Sequence, residues 1–556
     1  MSESDASPVP ASPVAPSRAP GLLKAAGLIA AVTIFSKLLG MLRDIQVAGV
    51  YGASMVSDAY FAAFQLPSFA IVLLGGLGGP FHTATVAVFS RLIGDEGPPS
   101  QQAKTLAGTV ITLTGLVFAL LSVATFACAE PIMATILHGA PAIKVAIAAE
   151  QLRIMSPIIL IGGIIGIFYG LMNVYHVFFW PSLSPAGLSL VILLTMWLFP
   201  HPDPSGRVLA WATLGGALAQ LLLQWPSFIK RGFSLLSLPG TDSFDWKSPH
   251  VRQWCEILFP ALISTTIGQL NVYVDMFFTS YLPEGGWTAV ILGNRLIQFP
   301  IGVLQTALLV PIFPRFSRYA AAGDFASIKR DFTMGVVSLW LVSIPMLVIL
   351  LLDTEAIIRL IFEHGQFNAE GTRLVSQAMI GLAFQILPYF ARDSITRVFF
   401  AFQDAKTPLR VGLLAIGFNA FFDWLFAGPL SLGVMGITLS TTAVTLLNMT
   451  LLGIFSKRHI ADLGFRELLS PFFKLLLAGS AMASTMLLLQ PWLKQLLGHW
   501  SLMAGLPARF VEIPALALVA LLGGFVYALL TLLLKVPEAR LLYERMFSLV
   551  QRRWSK

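Results

Sequence analysis

Residues 22–50 read LLKAAGLIAAVTIFSKLLGMLRDIQVAGV. As a helix rising about 1.5 Å per residue, such a run crosses a hydrocarbon core of about 30 Å. Yet Lys37 and Arg43 stand inside it. A charge at the bilayer centre costs roughly 2.5–3.5 kcal/mol on insertion scales, so it faces a cavity, a partner or a substrate. The run therefore sets the class of the molecule and shows where its function lies.

The rest of the chain repeats the pattern. Of 556 residues, 56% are hydrophobic and 12% charged, against about 25% charged in soluble domains. Apolar runs of spanning length fall at 22–50, 57–92, 103–128, 146–175, 179–199, 207–229, 253–282, 286–314, 332–352, 374–402, 408–428, 432–456, 468–493 and 511–535. The expectation is an all-α, polytopic membrane protein with about 14 transmembrane helices. Residues 1–20, MSESDASPVPASPVAPSRAP, lack the basic start and short apolar core of a signal peptide and read as a disordered cytoplasmic tail.

Basic residues alternate between loops. One set carries Lys230, Arg231, Lys247 and Arg252, then Arg315, Arg318, Lys329 and Arg330, then Lys406 and Arg410, then Lys457, Arg458 and Arg466. Facing these loops inward places both termini in the cytoplasm. The net charge of +8 is spread over these loops, not gathered in one patch, which argues against a nucleic-acid partner. Cys128 and Cys255 lie in different runs, so neither a disulfide framework nor a metal motif is indicated. His82, His176 and His364 have no ligand spacing. No Walker lysine, HExxH or GxSxG motif occurs, so the chain reads as a non-enzyme without ATP-driven chemistry.

Two halves match faintly. Gln65-Leu66-Pro67 in span 2 pairs with Gln298-Phe299-Pro300 in span 8, and Pro157 and Pro181 pair with Pro388 and Pro408. Six spans repeated, with two appended, fit a transporter that rocks two halves around a central cavity. The expected divisions are a six-helix lobe over 21–231, a second over 232–460, helices 13 and 14 over 461–535, and a basic tail over 536–556. In span 2, the run Leu73–Pro80, LLGGLGGP, reads as a break that could act as a gate hinge or, equally, as close helix packing through small residues.

The charges form two sets. In span 1, Ser36, Gly40 and Arg43 share a helical stripe, with Lys37 and Asp44 on the next. Arg43 paired to Asp44 near the span's end is the plainer reading there. In span 8, Thr288, Arg295 and Gln298 share a stripe, beside Asn294. A structural ion pair of Arg295 with Asp58 or Asp275 is the plainer alternative. If spans 1 and 8 face each other, Lys37, Arg43 and Arg295 line a cationic cavity suited to a polyanion, and a pyrophosphate-linked lipid headgroup fits it. The second set is acidic: Asp275 in span 7, Asn419 and Asp423 at i, i+4 in span 11, and Thr438 in span 12. These hard oxygen ligands point to a Na⁺ site, with H⁺ as the other coupling ion. The alternative is that each carboxylate neutralises a basic neighbour or stays protonated.

FSKLLGMLRD (35–44), SDAYFAAFQLP (57–67), NRLIQFPIGVL (294–304), FEHGQFN (362–368) and FQDAKTP (402–408), in this order and spacing, resemble the MurJ/MviN family of lipid II flippases, in the multidrug/oligosaccharidyl-lipid/polysaccharide exporter superfamily. The resemblance covers nearly the whole chain. It implies movement of lipid II, an undecaprenyl-pyrophosphate-linked disaccharide pentapeptide, from the cytoplasmic to the outer leaflet of the bacterial inner membrane by alternating access, driven by an ion gradient or the membrane potential. It implies that Ser36, Lys37, Arg43, Asp58, Thr288 and Arg295 line the central cavity. It also implies that spans 13 and 14 form a groove for the lipid tail. The chain departs from the family pattern at Lys37, where Arg is common, at Ile71, near a position often basic, and at Asn294 and Gln298, which are acidic in some members. Three alternatives stay open: a flippase for another lipid-linked oligosaccharide, a multidrug-type cation-coupled antiporter, and a membrane scaffold recruiting cell-wall synthesis or division proteins. The antiporter would favour acidic residues in the main cavity, and the scaffold could use the tail 536–556.

Overall fold

The structure, a computed structural model, describes residues 20–76, 78–92, 99–233, 244–305, 312–504 and 509–540. The expected terminal tails lie almost wholly outside these residues. The described residues form α1 (Pro20–Tyr51), α2 (Met55–Ser68), a π-helical segment (Phe69–Leu74), α3 (Pro80–Phe89), α4 (Gln101–Ala127), α5 (Ala129–Ile136), α6 (Ala142–Met155), α7 (Pro157–Val174), α8 (Phe179–Leu198), α9 (Arg207–Lys230), α10 (Pro249–Thr279), α11 (Gly286–Leu304), α12 (Phe313–Ala322), α13 (Phe325–Leu352), α14 (Thr354–Phe362), α15 (Ala369–Ala383), α16 (Ile386–Ala401), α17 (Lys406–Ala427), α18 (Gly433–Ser456), α19 (Phe465–Ala504) and α20 (Arg509–Leu533). No β-strand occurs among them.

Twelve helices are long and apolar enough to cross a membrane, counting α2 with its π-helical extension to Val72. The pair α15–α16, bent by 45°, makes a thirteenth. With 32 residues, α1 supplies a fourteenth by length. Some boundaries differ from the sequence expectation. The run 57–92 divides into α2, the π-helical segment and α3. The run 146–175 begins earlier, with α6, and breaks at Ser156 before Pro157, because proline removes the helical N–H and restricts the residue before it.

The break in span 2 is seated against α7. Gly162, Gly166 and Gly170 form an i, i+4, i+8 ridge on α7. A Cβ on Gly162 would lie 2.6 Å from the Ala70 carbonyl carbon, one on Gly166 2.9 Å from the Gly75 Cα, and one on Gly170 2.5 Å from the Thr85 Cβ. Small residues here let two backbones meet. The break and the close packing, posed as alternatives from the sequence, thus coexist.

Elsewhere α1 packs on α8, α2 on α6, α11 on α15, and α13 and α20 on α19. The least embedded span is α10, with Val251, Trp254, Leu258, Met276 and Thr279 its buried residues. It touches the first half through Trp254, whose Nε1 donates to Thr85 Oγ1 at 3.2 Å, and also packs along α17.

Apart from the packing of α10 on α3 and its neighbours, contacts between the first nine helices and α10–α15 gather where α1 ends. The Gln366 N–H donates to the Gly49 carbonyl at 2.7 Å, and the Gly139 N–H to Ser280 Oγ at 3.0 Å. Gly365 has φ +61°, and a Cβ there would overlap the Gly49 carbonyl oxygen. Gly285 has φ +83°, and a Cβ there would lie 2.6 Å from the Ala53 carbonyl oxygen. The molecule is shut at this end.

Candidate functional site

Spans 1 and 8 do face each other, and a carboxylate joins them. Arg43 on α1 donates to Asp44 Oδ1 through Nε at 3.0 Å and Nη2 at 2.8 Å. Asp44 Oδ2 receives Nη1 of Arg295 on α11. The partner of Arg295 is therefore Asp44, not Asp58 or Asp275. Arg43 is 12% exposed and Arg295 38%, so Arg295 is the more accessible of the pair. Its guanidinium carbon also lies 5.8 Å from the Phe61 ring centre. Lys37 is exposed, and its Nζ lies 3.6 Å from where a Cβ on Gly302 would sit. Two cations thus meet one carboxylate between α1 and α11, and Lys37 approaches α11 about two turns away. Asn294 is half-buried beside them and Gln298 exposed.

The remaining predicted contacts are placed differently. Ser36 Oγ donates to the Ser182 carbonyl at 3.2 Å, and a Cβ on Gly40 would meet Ser189 Oγ at 3.8 Å. That stripe of α1 seats the helix on α8, so the hydroxyl and glycine gap do not face the cavity. Asp58 and Thr288 are fully buried. Asp58 accepts Gly285 N–H at 2.9 Å, Thr288 N–H at 2.8 Å and Thr288 Oγ1 at 2.7 Å, and it pairs with Lys144 at 2.7 Å. The carboxylate on α2 thus satisfies the orphan N–H groups of α11, a helix of the other half. Asp58 and Thr288 form a latch at the closed end and are not cavity-lining contacts.

Asp275, Asn419 and Asp423 do come together. Asn419 Nδ2 donates to Asp275 Oδ1 at 2.6 Å and to Asp423 Oδ2 at 3.2 Å. Asp423 is fully buried, and its Oδ1 has no hydrogen-bond partner. Thr438 does not join them. It is buried against Gly381, and its hydroxyl donates to the carbonyls of Val434 and Met435. Ser440, two residues on and so on the opposite side of α18, adjoins Asp423 and donates to the Asn419 carbonyl at 3.3 Å. An orphaned buried carboxylate oxygen beside a second carboxylate, an amide and a hydroxyl fits a small hard cation. Among the described residues no group of three or more His, Cys, Asp or Glu could hold a metal ion, so such a site would rest on two carboxylates and neutral oxygens.

Three features were not anticipated: Asp44 as the bridge, Lys144 behind Asp58, and a polar stripe on α16. That stripe is Tyr389, Arg392, Asp393, Thr396 and Arg397, all half-buried. Its i, i+3, i+4, i+7, i+8 spacing is visible in the sequence.

Comparison with known proteins agrees with this architecture. The family model described as lipid II flippase MurJ matches residues 47–510. A probable lipid II flippase MurJ of Synechocystis sp. is 30% identical over 542 residues, covering 96% of this chain and 98% of that protein. A lipid II flippase MurJ of Burkholderia cenocepacia is 25% identical, covering 78% and 83%. A solved lipid II flippase MurJ in an inward closed conformation superposes with a TM-score of 0.71 at 21% identity, covering 90% and 98%. An inward-facing multidrug resistance MATE family transporter of the MOP superfamily gives 0.61 at 13% identity, covering 78% and 98%, a likeness of fold. The matched span of the family model takes in Arg295, the acidic set and the Asp58 contacts to α11, while Lys37, Arg43 and Asp44 lie just before it. The chain belongs to the MurJ family of lipid II flippases.

Proposed function

We propose that this chain moves lipid II from the cytoplasmic to the outer leaflet of the bacterial inner membrane by alternating access, with both termini in the cytoplasm and no bond made or broken. The observation that carries this reading is the cluster of Arg43, Asp44 and Arg295 within the spans. A guanidinium stays charged and offers a planar fork to phosphate oxygens. Arg295, the more exposed, exchanges Asp44 for a diphosphate oxygen, and Lys37 adds charge on the same side. The closed end at Tyr51 then faces outward, so the headgroup enters from the cytoplasm. Release requires the Asp58 latch to part from α11.

Asp275, Asp423, Asn419 and Ser440 would hold the coupling ion. A bound Na⁺ supplies the positive charge that offsets two neighbouring carboxylates. Asp275 is on α10 and Asp423 on α17, so neutralising their repulsion draws these helices together and biases the half that carries α11.

The test is complementation in cells depleted of their own lipid II flippase, with wild type, Arg43→Ala and Arg295→Ala at matched membrane levels. Rescue by wild type and failure of both variants supports the reading. Rescue by all three refutes the role of the cluster. Failure of well-expressed wild type shifts the substrate to another lipid-linked glycan.

A further inference from the structure

The α16 stripe has no place in the account so far. It stands in a membrane span, where a lipid-facing surface would be apolar. Two observations turn it toward the cavity. Gln305, at the end of α11, donates through Nε2 to Asp393 Oδ2 at 3.1 Å. Gly302, one turn earlier on α11, is the residue that Lys37 approaches. The same stretch of α11 thus meets Lys37 from α1 and Asp393 from α16.

The charges on the stripe do not balance. Arg397 Nε donates to Asp393 Oδ2 at 3.1 Å. Arg392 lies over the Tyr389 ring, 4.6 Å from its centre. Among the described residues no carboxylate lies within ion-pair distance of Arg392. A half-buried guanidinium in a span without a counter-ion is costly unless water or an anion reaches it. Asp393, whose Oδ2 accepts from both Gln305 and Arg397, can neutralise only one of the two arginines.

We propose that Arg392, laid over Tyr389, and Arg397, held by Asp393 that Gln305 also engages, form a second oxyanion-binding station in the cavity. Gln305 lies ten residues beyond Arg295 on α11, about 15 Å along the helix. That separation lets one extended anionic headgroup engage both stations, or lets a single oxyanion pass from one to the other. The ligand is an oxyanion of a lipid-linked headgroup: its diphosphate, or a carboxylate of its peptide. This inference rests on the proposed function.

The experiment is a binding titration of the full-length protein in detergent, with two ligands. One is the polyprenyl-diphosphate disaccharide carrying its pentapeptide, and the other is the same lipid without the peptide. Arg392→Gln combined with Arg397→Gln should weaken binding about tenfold, the loss expected for one charge-assisted hydrogen bond. Arg392→Lys should recover part of it. Equal loss for both ligands identifies the diphosphate, and loss confined to the peptide-bearing ligand identifies its carboxylates. Either result supports the station. Unchanged binding of both ligands, with Arg295→Gln still weakening them, overturns the station and leaves the proposed function standing. No binding by wild type overturns both. Should the arginine variants fail to fold, Gln305→Leu, which removes no charge, is expected to weaken binding in the same direction, and no change there overturns the proposal.

Discussion

Asp58→Asn should open the end of the molecule that is closed here. Asp58 and Lys144 lie on α2 and α6, which pack together in the same half. Their ion pair therefore survives when the halves part and does not enter the opening equilibrium. Only the bonds to α11 are lost on opening: Gly285 N–H, Thr288 N–H and Thr288 Oγ1. An asparagine keeps one oxygen acceptor and turns an NH₂ group toward the remaining donor. At least one charge-assisted bond disappears, worth about 1.5–3 kcal/mol. Each 1.4 kcal/mol is about tenfold, so the open population should rise by about tenfold to a hundredfold. Spin labels at the exposed positions His201 and Glu370, in a background lacking Cys128 and Cys255, report the separation by double electron–electron resonance. A longer-distance population should appear in Asp58→Asn and, to a smaller extent, in Thr288→Val. Because the variant strands the Lys144 ammonium in a buried site, Asp58→Asn with Lys144→Met should open the end equally while restoring stability. An unchanged distance distribution in a folded Asp58→Asn protein would refute the latch.

Other consequences can be checked by similar means. Gly365→Ala adds a Cβ that overlaps the Gly49 carbonyl and needs a left-handed backbone, so it should populate the same open state and lower the thermal midpoint. Asp423→Asn should abolish any Na⁺ dependence of the label distances and Ser440→Ala should weaken it, while Thr438→Val, removed from the carboxylates, should leave it intact; an equal loss in Thr438→Val would disprove the placement of the ion site. Asp404, in the loop before α17, is pushed up by burial but held lower overall, at about 2, by the Thr407 hydroxyl and N–H and by His459. Its folded value is depressed, so its stabilisation is present above the unfolded carboxylate range and is lost as pH falls through about 2. Asp404→Ala should cost about 1 kcal/mol at pH 7 after solvent screening, and the difference from wild type should close in acid.

The fold is legible in the sequence because each span is a long apolar run, and long periodic segments are the surest local signal. Arg43, Arg295 and Lys37 are legible because a charge inside such a run needs a partner. What the sequence lacks is the pairing between distant spans. Nothing local to Asp58 says that its carboxylate caps a helix beginning at Gly286. Nothing local to Asp44 says that it serves two arginines, one of them on another helix. The choice between Thr438 and Ser440 turns on which side of α18 faces α17, and two residues reverse that side. The α16 stripe has a readable spacing, but its charges sit among enough Phe and Ile to pass as an ordinary span.

The glycine ridge of α7 has a mechanical meaning. Helix α2 and its π-helical extension form one rod held in two unlike ways. Near its start Asp58 grips α11 through directional bonds. At the far end the rod rests on Gly162 and Gly166, where the two backbones come into close contact. A joint of that kind slides where a knob-and-hole joint would bind. Tension applied at the smooth end is thus delivered to the gripped end and not spent in repacking, and each methyl group added to the ridge should act as a brake on transport while leaving the substrate cluster untouched.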